Sequence, residues 1–126
     1  MGHLEAVASG HGILAWYHGH GGDPSVGSTA ELVTRRTDDF ARQALVTGGI
    51  ALGGAAGALV NTLDPSMVVV SGSVAEAGDP WESSVRGAYS GTLMSAVAAT
   101  PIEISSSGPE IALLGAAHFA MQRMGK

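Results

Sequence analysis

Two stretches of the sequence carry residue types that could bind a ligand, and the first contains Glu5. This acid stands at the start of an apolar helical pattern, a few residues after Met1. A carboxylate has two acceptor oxygens and therefore suits neighbouring hydroxyl groups such as those on a sugar ring. An acid in the first turn of a helix is also stabilised by the helix dipole, without any ligand. Position alone leaves both interpretations of Glu5 open.

The second stretch is the run Ser71-Gly72-Ser73-Val74, which directly follows the apolar segment 67–70. In open parallel sheets, ligands bind beyond the carboxyl ends of the strands. Glycine allows the backbone to approach a ligand closely, and successive N–H groups can form an anion-binding concavity. An ordinary turn at the end of a strand would use the same residues. The turn is therefore a candidate binding site that needs support from elsewhere in the chain.

Several other chemical motifs are absent from the sequence. The glycines of "GIALGG" (49–54) have Walker spacing, but Ala55 and Ala56 follow them, and no G-x-S-x-G frame occurs. The chain has no cysteine, which excludes disulfides and thiolate metal sites. His18 and His20 lie close together, yet no further ligands stand at a spacing that would fix a tetrahedral metal site.

Composition limits the class of protein. With six Lys and Arg against eleven Asp and Glu, the net charge of −5 argues against a nucleic-acid partner. The 126 residues, 45% of them hydrophobic, are expected to form a single domain, 1–126. Residues 43–63 are uncharged, but their Thr and Asn side chains would need partners in lipid, which favours a buried helix over a membrane span. Without cysteine or an amino-terminal signal segment, the chain is expected in the cytoplasm.

The apolar pattern predicts three helices in the first half of the chain. One covers 4–17, although Gly10 and Gly12 interrupt it, and a short one covers 29–35 behind a capping box of Ser28 and Glu31. A long helix over 38–63 contains glycines that each cost about 1 kcal/mol in an exposed helix. We therefore expect its glycine face to lie against a sheet or a second helix.

The second half predicts an α/β arrangement. The β-branched run 67–72 indicates a strand buried on both faces, and 101–105 alternates as a second strand. Asp79 as N-cap and Pro80 as first helical residue predict a helix over 80–98. This crossover helix makes the two strands parallel neighbours. A last amphipathic helix is predicted over 109–124.

Three segments, in this order, have the sequence and spacing of one family. They are "GHLEAVASG" (2–10), "ALVNTLDPSMVVVSGSVAEAG" (58–78) and "LLGAAHFA" (113–120). They resemble the G-C-L-E-A-x-A-S-G segment, the strand with its G-G-G-V turn, and the closing G-L-x-G-A-A helix of the ROK family of repressors and sugar kinases. The resemblance implies part of an actin-like ATPase (ribonuclease H-like) domain, helix-rich with a small parallel sheet.

The resemblance also assigns residues. Glu5 matches the family glutamate that hydrogen-bonds sugar hydroxyls, and Gly72 and Ser73 match the glycine turn on the nucleotide side of the cleft. Ser73 stands where the family usually has glycine. His3 occupies the position of the last cysteine in the family's zinc motif C-x-C-G-x-x-G-C, so it could bind structural zinc only with the rest of that motif. No catalytic residue is assigned.

The implied function is that of a carboxyl-terminal fragment of a sugar kinase, which transfers phosphate from ATP with Mg²⁺ to a hexose or amino-hexose. The family's D-x-G-G-T segment, its N-D motif with the general base and its E-x-G-H motif do not occur in these residues, so we expect the fragment alone to be inactive. The sugar and the donor, ATP or polyphosphate, stay open.

Two alternatives to a kinase remain. One is the sugar-sensing half of a ROK repressor, which would have a DNA-binding segment upstream. The other is a non-catalytic assembly module, in which the glycine-faced helix and Trp81 pack against a second copy. We also expect a homodimer, and no membrane partner.

Overall fold

The fold is an α/β arrangement in which helices accompany a small sheet, and the computed structural model describes residues 2–105 and 110–125. Two of the connections are 3₁₀ turns, Ser73–Glu76 and Ser95–Val97. The elements are α1 (Glu5–Ala8), α2 (Gly10–Gly19), α3 (Thr29–Thr34), α4 (Asp39–Leu63), β1 (Val68–Val70), α5 (Trp81–Thr92), β2 (Ile102–Ile104) and α6 (Glu110–Met124). Of the predicted segments, Met1, Pro109 and Lys126 lie outside the described residues.

The sheet has two parallel strands, as predicted. Val68 pairs with Ile102 and Val70 pairs with Ile104. The prediction that the first strand is buried on both faces is wrong, because Val69 is 56% exposed while Val68 and Val70 pack against the core. The described helices cover one face of the sheet only.

The predicted helix over 4–17 is also wrong as a single helix, since the chain breaks at Ser9. The backbone there is extended (ψ 160°), and the Ser9 hydroxyl accepts a hydrogen bond from the Gly12 amide at 3.0 Å, capping α2. A Cβ on Gly12 would lie 2.6 Å from the carbonyl carbon of Ala6. The close approach of α1 to the start of α2 therefore requires glycine.

Helix α4 has the predicted extent and forms one wall of the core. Asp38 caps it, because one carboxylate oxygen accepts hydrogen bonds from the amides of Phe40 and Ala41 at 2.9 and 3.2 Å. By length and composition this helix is a candidate membrane span. In the structure its buried residues pack against α2 and α5, so it serves as a core helix.

Three glycines of α4 face α5: Gly49, Gly53 and Gly57. A Cβ on Gly49 would lie 2.6 Å from the carbonyl oxygen of Trp81, and one on Gly57 would lie 2.7 Å from the Cβ of Thr92. Gly53 lies between them and is also buried. The prediction that a sheet or a second helix covers this face is confirmed, and the covering element is a helix. Because α5 of the same chain occupies it and Trp81 is 1% exposed, the surface proposed for a second copy is not free.

Helix α5 starts and ends at different residues from those predicted. Asp79 accepts a hydrogen bond from the Ser83 amide at 3.0 Å, and Pro80 is the N-cap rather than the first helical residue. The prediction that the helix continues to residue 98 is wrong, because α5 ends at Thr92.

The end of α5 is set by a side chain from α4. The Asn61 amide group donates a hydrogen bond to the carbonyl oxygen of Thr92 at 2.9 Å, and its oxygen accepts one from the Met94 amide at 2.9 Å. The two contacts hold the chain as it turns away from the helix, with Leu93 extended (ψ 132°).

Candidate functional site

A cavity of about 400 Å³ lies where β1 ends, next to the break between α1 and α2. Its walls come from segments that are far apart in the sequence. The lining residues are Leu4, Glu5, Ala8, Ser9, Gly10, Leu52, Val70, Ser71, Gly72, Ser73, Val74, Ala75 and Trp81. The structure therefore places Glu5, Gly72 and Ser73, all predicted from the sequence as binding residues, on one cavity.

Glu5 is the first residue of α1 and is exposed. Its main-chain carbonyl accepts a hydrogen bond from the Ser9 amide at 3.2 Å. Its carboxylate makes no hydrogen bond or ion pair to another described residue. Among the described residues that line the cavity, Glu5 alone carries a charge. Both carboxylate oxygens are thus available to a ligand, in surroundings that are otherwise neutral.

Gly72 also lines the cavity, at the end of β1. Its φ of +119° and ψ of −179° fall in a region that is essentially restricted to glycine. A Cβ on Gly72 would have no atom within 4 Å, so the space beside this backbone is open to a ligand. Ser73 follows as the first, exposed residue of the 3₁₀ turn, and the Gly72 carbonyl accepts the Ala75 amide at 3.1 Å.

Sequence reasoning missed two residues of this cavity, Ser9 and Trp81. A serine three residues before Gly12 is a capping signal that could have indicated both the break and the position of Ser9. Trp81 is buried, and its indole nitrogen has no hydrogen-bond partner among the described residues. No local pattern in the sequence indicates that a tryptophan at the start of α5 would reach the end of β1.

His3, the predicted zinc ligand, lies in the exposed turn before α1. Across residues 2–105 and 110–125, no group of three or more His, Cys, Asp or Glu side chains could hold a metal ion. His18 and His20 instead contact the main-chain carbonyls of Val26 and Trp16 at 3.0 and 2.7 Å. The residues present do not fit a zinc site, because His3 is a single ligand.

A hydrogen-bonded network outside the cavity lining joins α2 to α4. The buried Tyr17 hydroxyl donates to the Asp38 carboxylate at 2.6 Å and accepts from the Asp23 amide at 3.0 Å. The bond from Tyr17 lowers the pKa of Asp38, and the same bond raises the pKa of Tyr17. Arg35 pairs with Asp23 at 3.0 Å, and hydrogen bonds from Ser25 lower the pKa of Asp23. This network fixes the start of α4 relative to the helix that follows Ser9.

Comparison with known proteins agrees with this fold. The model of the ROK family matches residues 1–123. The crystal structure of the ROK hexokinase from Thermus thermophilus superposes with a TM-score of 0.78 at 28% sequence identity, and has the actin-like ATPase fold. The match covers 98% of this chain and 42% of that chain, so this chain spans less than half the length of the hexokinase. A search of curated proteins finds no match.

Proposed function

This chain belongs to the ROK family, and on that premise we propose that it forms the carboxyl-terminal, sugar- and nucleotide-contacting part of a hexose kinase. The observation that carries the proposal is the single cavity on which Glu5 meets the turn at Gly72 and Ser73. Similarity to a ROK hexokinase favours the kinase over the repressor, since the solved neighbour is named as an enzyme.

Glu5 is proposed to bind the sugar. Its exposed carboxylate has no partner among the described residues and lines the cavity. Two oxygens can accept hydrogen bonds from two neighbouring hydroxyls of a hexose or an amino-hexose. The Ser9 hydroxyl, one helical turn further on, lines the same cavity and adds a second polar group. A neutral polyol fits this end of the cavity better than an anion, because the charge of Glu5 repels anions.

Gly72 and Ser73 are proposed to contact the nucleotide. The open space beside the Gly72 backbone allows close approach, and the turn lies directly beyond β1, where ligands bind in parallel sheets. ATP with Mg²⁺ supplies the phosphoryl group in this proposal. None of the described residues that line the cavity is a Lys or Arg. The negative charge of the phosphates must therefore be neutralised by groups outside this lining.

The catalytic base is proposed to lie on another part of the enzyme. The motifs that the family uses for the base and for cradling the phosphates do not occur among these 126 residues. Phosphoryl transfer depends on positioning the hydroxyl and on neutralising the phosphate oxygens. The contribution of this chain is therefore binding and orientation, in a cytoplasmic enzyme that has access to ATP.

Hexose binding tests the proposal. Calorimetric titration with glucose and with N-acetylglucosamine is expected to show binding that weakens roughly 10-fold or more in Glu5→Gln, since a hydrogen bond to a charged group contributes about 1.5–3 kcal/mol. Glu103→Gln is the matched control, because Glu103 is an exposed carboxylate on β2 outside the cavity. Unchanged hexose binding in Glu5→Gln, or no binding by the unmodified chain, would contradict the proposal.

A further inference from the structure

A second cavity, of about 210 Å³, lies where α3, the start of α4 and the start of α5 meet. Three arginines line it, Arg35, Arg36 and Arg42. The chain has only six Lys and Arg in total and a net charge of −5. Half of its cationic side chains therefore surround one small cavity in a protein that is otherwise acidic.

Two of these arginines are not neutralised. The Arg35 guanidinium lies 3.0 Å from Asp23 and 3.8 Å from Glu31, so its charge is balanced outside the cavity. Among the described residues, Arg36 and Arg42 form no ion pair. Exposed arginines on an acidic protein could pair with the many carboxylates nearby, and these two do not.

Two acidic groups at or close to the cavity accept hydrogen bonds from other parts of the chain. Asp79 is the acid among the described lining residues, and its carboxylate accepts the Ser83 amide at 3.0 Å. Asp38, at the start of α4, accepts from the Tyr17 hydroxyl and from amides of its own helix. The two unpaired guanidiniums exceed the one lining carboxylate, so the cavity has a net positive charge.

The base of the cavity is apolar. Leu32 is 1% exposed and Leu45 is 3% exposed, and Pro80 adds a further apolar surface. A guanidinium presents paired N–H donors that match two oxygens of a phosphate group.

We propose that this arginine cavity binds the phosphoryl group of a small phosphorylated metabolite. Arg36 and Arg42 donate to the phosphate oxygens, and the apolar base at Leu32 and Leu45 contacts the adjoining carbon atoms. The volume is below the roughly 300–1,000 Å³ that is typical of pockets for drug-sized ligands, so the cavity suits a phosphoryl group with a short carbon skeleton. It shares no lining residue with the Glu5 cavity and is a separate site.

Titration of the full ¹⁵N-labelled chain with inorganic phosphate tests the proposal, with ionic strength and pH held constant by sodium chloride and buffer. The expected result is saturable shifts of amide signals at the junction of α3 and α4. We expect Arg36→Gln and Arg42→Gln, made separately, to weaken phosphate binding at least several-fold. Arg123→Gln is the control, because it removes the same charge from α6, where Arg123 lies over the ring of Phe119.

Three results would overturn the proposal. One is that phosphate shifts these signals no more than sodium chloride of equal ionic strength does. A second is that Arg36→Gln and Arg42→Gln bind phosphate as tightly as Arg123→Gln does. The third is that acetate binds as tightly as phosphate, which would show a general anion site instead of a phosphoryl site. Because the cavities are separate, hexose binding at Glu5 is expected to be unchanged in all three variants.

Discussion

Gly72 is the residue at which the proposed nucleotide turn adopts a backbone conformation closed to other amino acids, with φ +119° and ψ −179°. We expect Gly72→Ala to lower the free energy of unfolding by roughly 1–3 kcal/mol, from backbone strain. Steric crowding contributes nothing, because the new Cβ would have no atom within 4 Å. Urea denaturation measures the effect, and the exposed neighbour Ser73→Ala is expected to change stability by less than about 0.5 kcal/mol. If Gly72→Ala is as stable as the unmodified chain, an alanine is not strained in this backbone conformation.

The bond between Tyr17 and Asp38 predicts how stability changes with pH. The hydrogen bond from Tyr17 holds the pKa of Asp38 below its ordinary value. A carboxyl group whose pKa is lower in the folded chain stabilises the fold above its unfolded pKa, and this contribution is lost as the pH falls through the folded pKa. The same bond raises the pKa of Tyr17. The stability that the Tyr17 hydroxyl contributes is therefore present below its unfolded pKa and is lost as the pH rises through its folded pKa.

We therefore expect Tyr17→Phe to lose stability at neutral pH and to show a smaller further loss on acidification than the unmodified chain. Urea unfolding at neutral pH and at about pH 3, below the ordinary aspartate pKa, measures both losses. Tyr89→Phe is the control, because the Tyr89 hydroxyl donates to the main-chain carbonyl of Thr100, which does not titrate. An equal acid-dependent loss in Tyr17→Phe and the unmodified chain would argue against the coupling.

The sequence was sufficient to predict some of the binding residues but not all of them. Their chemistry and position made Glu5 and Gly72 candidates, and the resemblance to the ROK family assigned them as binding residues. Ser9 was missed, since the helix pattern continued across it and concealed its capping bond to the Gly12 amide. The two arginines Arg36 and Arg42 look like solvated charges in the sequence, because the cavity they line forms only when α3, α4 and α5 pack together.

Among the secondary-structure elements, α4 and α5 pack closely because glycines stand at the α4 positions that face α5. A Cβ on Gly53 would be driven into the carbonyl oxygen of Val85 and would lie 3.0 Å from the Cβ of Ala88. We expect Gly53→Ala to destabilise the chain by about 1–3 kcal/mol, the usual cost of overpacking.

The neighbouring glycine supplies the control for that prediction. A Cβ on Gly54 would meet its nearest atom, the Thr92 hydroxyl oxygen, at 3.9 Å. Gly54→Ala is therefore expected to stabilise the chain by up to about 1 kcal/mol, through helix propensity alone. Thermal and urea denaturation of both variants show whether each substitution stabilises or destabilises the chain. If both substitutions stabilise the chain, the helices are not in close contact at Gly53.

Elements set by local signals could be predicted, and those set by distant residues could not. The capping of α3 by Ser28 and the parallel pairing of β1 with β2 follow from short-range patterns, and both are confirmed. The end of α5 could not be predicted, because it depends on the side chain of Asn61 from another helix. Exposure of Val69 could not be predicted either, since a β-branched run carries no information on how many layers cover the sheet.

For the molecule as a whole, the structural match covers nearly all of this chain but less than half of the solved neighbour. This chain spans 42% of the ROK hexokinase from Thermus thermophilus, and its sheet leaves Val69 exposed on one face. The fold class was predictable because motifs at both ends of the chain agreed in order and spacing with one family. The cavity was not, because its lining residues come from segments far apart in the sequence, among them α1, the end of β1 and the start of α5.

We propose that Glu5 and the turn at Gly72 and Ser73 form one ligand site, and amide chemical-shift mapping of the ¹⁵N-labelled chain can test this. Glucose is expected to shift the signals of Glu5 and Ser9, and Mg-ADP is expected to shift those of Gly72 and Ser73. In Glu5→Gln, saturation of the glucose shifts should require roughly 10-fold more glucose or higher, and the Mg-ADP shifts should be preserved. The absence of shifts at this cavity with either ligand, or glucose shifts that persist unchanged in Glu5→Gln, would contradict the claim.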